Sequence, residues 1–160
     1  MSVQRTLCFF AALTLAVTTL VAANDDPFAG TWKLDVGKST YTGIPTPKDL
    51  TLTIVDQGAN RVVTFNGTAQ DGSPIKVELT EPRTGGAIQI TGAPPNQSWD
   101  TATLKFINAT SHDLIYSKDG KEIAVRHIRM PRDHQSFMAY FTGPDPQGKT
   151  ITQNDVWEKQ

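Results

Sequence analysis

Apolar and polar residues alternate along much of this chain. Leu50, Leu52 and Ile54 alternate with Thr51 and Thr53, the period of two expected of a strand with one buried and one wet face. Along 122–130, Ile123, Val125 and His127 share one face while Ala124, Arg126 and Ile128 share the other, so both faces are mixed. A lumen partly filled with water and ligand produces that pattern, and so does a strand covered on its outer side by a loop. No stretch repeats with the helical period over a useful length. Short β-rich runs recur instead at roughly 8- to 12-residue spacing, the rhythm of a sandwich or barrel. The predicted strands are 30–35, 50–56, 61–66, 75–81, 87–91, 102–107, 113–117, 122–130, 136–141 and 150–158.

The breaks between these runs carry turn chemistry. Asp71-Gly72 and Asp119-Gly120 predict tight hairpins, because the second turn residue needs positive φ and glycine takes it without strain. Gly85-Gly86 and Asp145-Pro146-Gln147-Gly148 serve the same purpose less specifically. The segment 36–48 holds Gly37, Gly43, Pro45 and Pro47 and reads as a loop. Gly92-Ala93-Pro94-Pro95-Asn96 reads as a longer loop at the rim of an opening.

The two ends of the strand series look made for each other. Phe28-Ala29-Gly30-Thr31-Trp32-Lys33-Leu34-Asp35 predicts an opening strand, and Val156-Trp157-Glu158-Lys159 the strand that closes against it. Closure alone removes exposed sheet edges. Gly30 is expected to let the backbone pass close to a neighbour, and Trp32 to plug one end of the cylinder. The expected fold is all-β: a single antiparallel up-and-down barrel of about 8–10 strands, without a helical lid.

These end motifs, with the middle hairpin Lys118-Asp119-Gly120-Lys121-Glu122, resemble the calycins, the lipocalin and fatty-acid-binding-protein superfamily. More narrowly, the chain is similar to the secreted lipocalin-like domains found in bacteria. The resemblance covers both ends and one hairpin; between them it is strand rhythm. It implies that Trp32 packs across the closed end beneath a basic side chain, for which Arg126 or Arg129 is the candidate. It also implies a ligand in the lumen, near the last strands. Matching the terminal strand by its Glu158-Lys159 ending puts Asp155 where the fatty-acid binders carry an arginine and Trp157 where they carry a tyrosine, so their carboxylate clamp is lost. Matching from Asp119-Gly120 places His127 at the family's second basic position. The expected ligand-binding residues are therefore His127, Asp155 and Trp157, with Phe106, Tyr116 and Phe137 as strand aromatics. A one-residue register slip would turn His127 and Asp155 to solvent. Two departures narrow the type: 36–48 is too short and proline-bearing for the helix-turn-helix lid of the intracellular binders, and neither a helix after the last strand nor a Thr-Asp-Tyr motif is found.

Composition adds the compartment. Residues 1–23 read as a secretory leader, with Arg5 as the charged start, an apolar middle, and Val21-Ala22-Ala23 as the cleavage site. The expected mature domain is 24–160, secreted or periplasmic, beginning at Asn24. Removing 23 of 160 residues leaves 137, one domain's worth. Cys8, the chain's one cysteine, lies in the leader, so the mature domain is expected to rely on its core rather than disulfides. Without Arg5 the basic residues number 14 against 16 acidic, a net charge near −2. No basic stripe suggests nucleic acid or an anionic membrane, and a monomer is expected. The sequons at Asn66, Asn96 and Asn108 are too common a pattern to imply glycosylation.

Catalytic signatures are missing: there is no Gly-x-Ser-x-Gly, no His-x-x-x-His pair, no cysteine nucleophile and no glycine-rich phosphate loop. His112, His127 and His134 are spread over different turns and strands. No cofactor is expected. The favoured expectation is a carrier of a small apolar or amphipathic molecule. A periplasmic inhibitor acting through rim loops stays open as an alternative, as does a barrel enzyme or a haem or metal binder using His127. Trp99 reads as a loop anchor before a stacking platform.

Overall fold

The computed structural model describes residues 26–92 and 97–160. The leader, the Asn24 boundary and the Pro94-Pro95-Asn96 portion of the rim loop lie outside those residues. Among the described residues there are twelve strands: β1 Gly30–Leu34, β2 Thr40–Thr42, β3 Asp49–Gln57, β4 Asn60–Thr68, β5 Pro74–Pro82, β6 Gly86–Ala87, β7 Gln89–Gly92, β8 Thr101–Asn108, β9 Ser111–Lys118, β10 Lys121–Arg129, β11 Ser136–Pro144 and β12 Thr150–Lys159. They form one antiparallel sheet in the order β6-β8-β9-β10-β11-β12-β1-β3-β4-β5-β7, with β2 added to β12. The segment 86–92 belongs to both ends of that order. Its first half pairs with β8 and its second with β5, so it bridges the sheet into a nearly closed barrel.

All ten predicted strands are present, and 87–91 is the one that divides, at Ile88, whose amide donates to the Ala102 carbonyl at 2.9 Å. The first and last strands meet as expected, with Trp32 opposite Lys159 and Leu34 opposite Trp157. The loop read over 36–48 contains one strand that alternation was too short to show. After β1 the chain makes a tight detour in which the Asp35 carbonyl accepts from the Lys38 and Ser39 amides. It then rejoins β12 as β2, Tyr41 opposite Gln153. Ser39 Oγ accepts the Val156 amide at 3.0 Å, so the donor left unpaired by the detour finds a side-chain partner.

Asp119 and Gly120 have φ of 51° and 74°, the two positive values that a two-residue hairpin of this twist requires. Asp71-Gly72 is not such a hairpin. It lies in a five-residue link closed by the Ala69 amide on the Ser73 carbonyl at 2.8 Å, and the Asp71 carboxylate accepts from the Ser73 amide and hydroxyl. Gly30 also differs from expectation. A Cβ there would meet Lys159 Cε at an ordinary 3.6 Å, so what demands glycine is φ of 127° rather than a close approach.

Trp32 is fully buried at the end of the barrel beside the 26–29 segment. Its Nε1 donates to the Phe28 carbonyl at 2.8 Å, and the Phe137 ring meets it edge-on at 4.9 Å. Phe28 completes the ring packing at this end, edge-on to Phe137 at 5.5 Å.

Candidate ligand-binding lumen

Inward positions on successive strands leave a cavity of about 500 Å3, within the roughly 300–1,000 Å3 range of small-molecule sites. It runs from Arg61, Glu81 and His112 at the packed end to Pro45, Gln70 and Ser73 at the opposite rim, where these side chains reach solvent or come near it. Between the ends the wall is apolar: Leu52, Val63, Val77, Leu114, Phe141 and Trp157 each occupy one side of an alternating strand. The pleat is what turns these residues inward while Thr51, Thr53 and their like face out.

One polar cluster interrupts the apolar wall. Arg126 Nη1 donates to Asp155 Oδ2 at 2.9 Å, and Nη2 donates to the Gln153 amide oxygen. Tyr41, carried in by β2, donates its hydroxyl to Asp155 Oδ1 at 2.5 Å. The Arg126 guanidinium also lies over the Phe141 ring, 5.2 Å from its centroid. Asp155 is only 5% exposed, so Arg126 and Asp155 largely neutralise each other inside the barrel. Burial raises the Tyr41 phenol above its ordinary pKa, and Asp155 adds to it; burial likewise raises Tyr116.

A second cluster closes the floor. Arg61, 1% exposed, donates Nε to Glu81 Oε2 at 2.6 Å and Nη1 to Asp26 Oδ2 at 3.0 Å. Phe28 and Phe106 flank its guanidinium at 5.8 and 5.4 Å. Arg61 Nη2 lies 3.1 Å from His112 Nε2. A guanidinium can only donate, so His112 Nε2 accepts and its proton sits on Nδ1. Burial, reinforced by Arg61, holds the His112 pKa down to about 3. The ring is therefore neutral, and its Nδ1–H is buried without a partner, a deficit worth about 1–3 kcal/mol. Burial pushes the Glu81 carboxyl up, against the opposing pull of Arg61.

Of the residues expected to bind ligand, Asp155, Trp157, Tyr116 and Phe137 line the cavity. His127 does not. Its side chain is 47% exposed on the outer face, with Nδ1 3.0 Å from Asp113 Oδ1. The reason is a bulge in β10: Glu122 pairs with Ser117 and Ala124 with Tyr116, leaving Ile123 as an extra residue. Counting from the Asp119-Gly120 turn is thereby displaced by one, and every later side chain changes face. Arg126 takes the inward place expected of His127. Phe106 also stands apart from the cavity wall, covering Arg61 at the floor.

The cation over Trp32 is neither Arg126 nor Arg129. Arg126 is committed to Asp155 higher in the lumen, and Arg129 faces outward, pairing with Asp113 at 2.9 Å and donating to the His112 carbonyl. Lys159 Nζ lies 5.3 Å from the Trp32 ring instead, placed there by the β1–β12 register. Trp99 packs against Tyr116 with centroids 4.9 Å apart and also lines the cavity. Among the described residues no three His, Cys, Asp or Glu side chains converge as a metal site.

The floor was not anticipated, although the sequence carries a signal for it. Arg61-x-Val63-x-Phe65, Val77-x-Leu79-x-Glu81 and His112-x-Leu114-x-Tyr116 each end an inward apolar face with a polar residue, and antiparallel pairing places Arg61 opposite Glu81. Tyr41 and Gln153 carried no such signal, since their role depends on β2 joining β12. No family model matches the chain, and no curated protein matches it.

Proposed function

We propose that this protein is an exported carrier, lipocalin-like in kind, that holds one small apolar or amphipathic molecule with a neutral head group in the barrel lumen. The observation that carries the reading is the apolar cavity of about 500 Å3 whose buried ion pairs, Arg126–Asp155 in the wall and Arg61–Glu81 at the floor, are internally neutralised. Apolar walls favour an apolar body by burial. A fatty-acid carboxylate would need a free cation, and Arg126 is already matched by Asp155 and Gln153. A neutral polar head can hydrogen-bond to Tyr41, Gln153 or Arg126 without breaking that pair. The Gly30–Trp32 strand hydrogen-bonded to the Trp157 strand supports the calycin resemblance, and the leader supports export.

The test is a competition titration of an environment-sensitive probe with a fatty acid and a fatty alcohol of equal chain length. The parent is expected to prefer the alcohol. Asp155→Asn, which frees the Arg126 charge, is expected to shift the ratio toward the acid by roughly tenfold, the worth of one charge-assisted contact. Strong preference for the acid in the parent, unchanged in Asp155→Asn, would remove the ion pair from the mechanism. Native mass spectrometry before and after organic extraction should find a small-molecule adduct, on a chain that begins at Asn24.

A further inference from the structure

We propose that the lumen takes a primary carboxamide on an apolar body, and that Gln153 and Tyr41 hold this head, Gln153 donating one hydrogen bond to it and Tyr41 accepting another from it. This rests on the reading of the lumen as a binding site and names the head group within it. Arg126, Phe141, Gln153 and Tyr41 form one rung across four neighbouring strands, each paired with the next, and all four line the cavity. Direct cross-strand partners project from the same face of a sheet, so this rung is a continuous strip of the inner wall.

Each side chain in the strip has its hydrogen-bonding sense fixed by a neighbour. A guanidinium only donates, so the Gln153 oxygen faces Arg126 Nη2 and Gln153 Nε2 is turned away from it. No group among the described residues accepts from that Nε2. It is also not one of the buried atoms left without a partner, so unlike His112 Nδ1 it has open space in front of it. Tyr41 gives its hydrogen to Asp155 Oδ1 at 2.5 Å, because the carboxylate paired with Arg126 only accepts. The Tyr41 oxygen therefore keeps lone pairs, to which no group among the described residues donates. Side by side on paired strands, the two residues offer one donor and one acceptor.

A head that completes this strip has to accept and donate together. Carboxylates, esters and ketones only accept, and an ammonium only donates. A primary carboxamide does both on separate atoms, which suits partners carried by adjacent strands about 4.8 Å apart. A hydroxyl does both through one oxygen, which would have to lie within hydrogen-bond reach of both partners at once.

The test uses three ligands of matched shape: nonanamide, the ketone 2-decanone and the alkene 2-methyl-1-decene, with 1-nonanol as a fourth. Each competes with the neutral dye N-phenyl-1-naphthylamine, and each is compared with itself across protein variants, so that differences in water solubility cancel. In Tyr41→Phe, nonanamide is expected to weaken roughly fivefold, the worth of one net hydrogen bond, while ketone and alkene stay within about twofold. In Gln153→Met, nonanamide and ketone should both weaken roughly fivefold and the alkene should be retained, which also shows that the lumen is intact. In the unsubstituted protein carrying 15N-labelled glutamine, the Gln153 Nε2 resonance should move on adding nonanamide and stay in place with alkene, a readout that does not depend on a variant folding. Nonanamide affinity unchanged in both variants, or no movement of the Nε2 resonance, would overturn the carboxamide subsite and leave the lumen reading standing. Losses for 1-nonanol with none for nonanamide would reassign the strip to a hydroxyl and overturn it equally. Failure of every ligand to displace the dye would overturn both readings.

Discussion

Arg61→Met removes the cation at the centre of the floor while roughly keeping its volume. The parent guanidinium is 1% exposed and sits 2.6 Å from Glu81 and 3.0 Å from Asp26. Its loss leaves Glu81, itself 2% exposed, as a buried carboxyl without a partner, and leaves His112 Nε2 without its donor. Breaking a buried pair in this way costs about 3–5 kcal/mol, a large share of the roughly 5–15 kcal/mol that holds a domain together. Urea melts should read it as a lower midpoint at unchanged slope. The loss should grow with pH. With Arg61 gone, burial, reinforced by the Asp26 carboxylate, raises the folded pKa of Glu81 above the unfolded value, so the variant is most stable below the unfolded carboxyl pKa and weakens as pH rises through the folded one. Arg61→Met combined with Glu81→Leu should recover at least about 2 kcal/mol relative to the sum of the two single changes, because the orphaned charge is gone. If the double variant equals the sum to within about 0.5 kcal/mol, the two residues are energetically independent and the account of the floor is wrong.

Trp32→Ala should cost about 3–5 kcal/mol, since Trp32 is fully buried against Phe137 and its Nε1 bond to the Phe28 carbonyl is lost as well. A loss below about 1 kcal/mol in denaturant melts would mean that the ring does not plug the barrel. His112, with its pKa held down to about 3, makes a stabilising contribution that is present above the unfolded histidine pKa and lost as pH falls below it. Melting temperature should therefore decline as pH drops from near 7 toward 4, and the decline should be shallower in His112→Leu; identical pH profiles would show that burial of this imidazole does not couple to folding.

Period-two alternation, turn residues and the matching ends determine that this chain is a barrel, because each depends on neighbours a few residues apart and on the pleat that turns every second side chain inward. All ten predicted strands follow from that local logic, and so do the inward placements of Asp155 and Trp157 on β12. Register is a different matter. The extra residue Ile123 in β10 leaves no local mark, yet it decides that Arg126 rather than His127 enters the lumen. Pairing across the barrel likewise decides that Lys159 covers Trp32, that Tyr41 reaches Asp155 from β2, and that Arg61, Glu81 and His112, from three separate strands, share one buried floor. Those contacts join positions from 20 to 127 residues apart. Only the closing of the sheet brings them within reach, because an ion pair or hydrogen bond is set by distances of a few ångströms that sequence spacing does not encode.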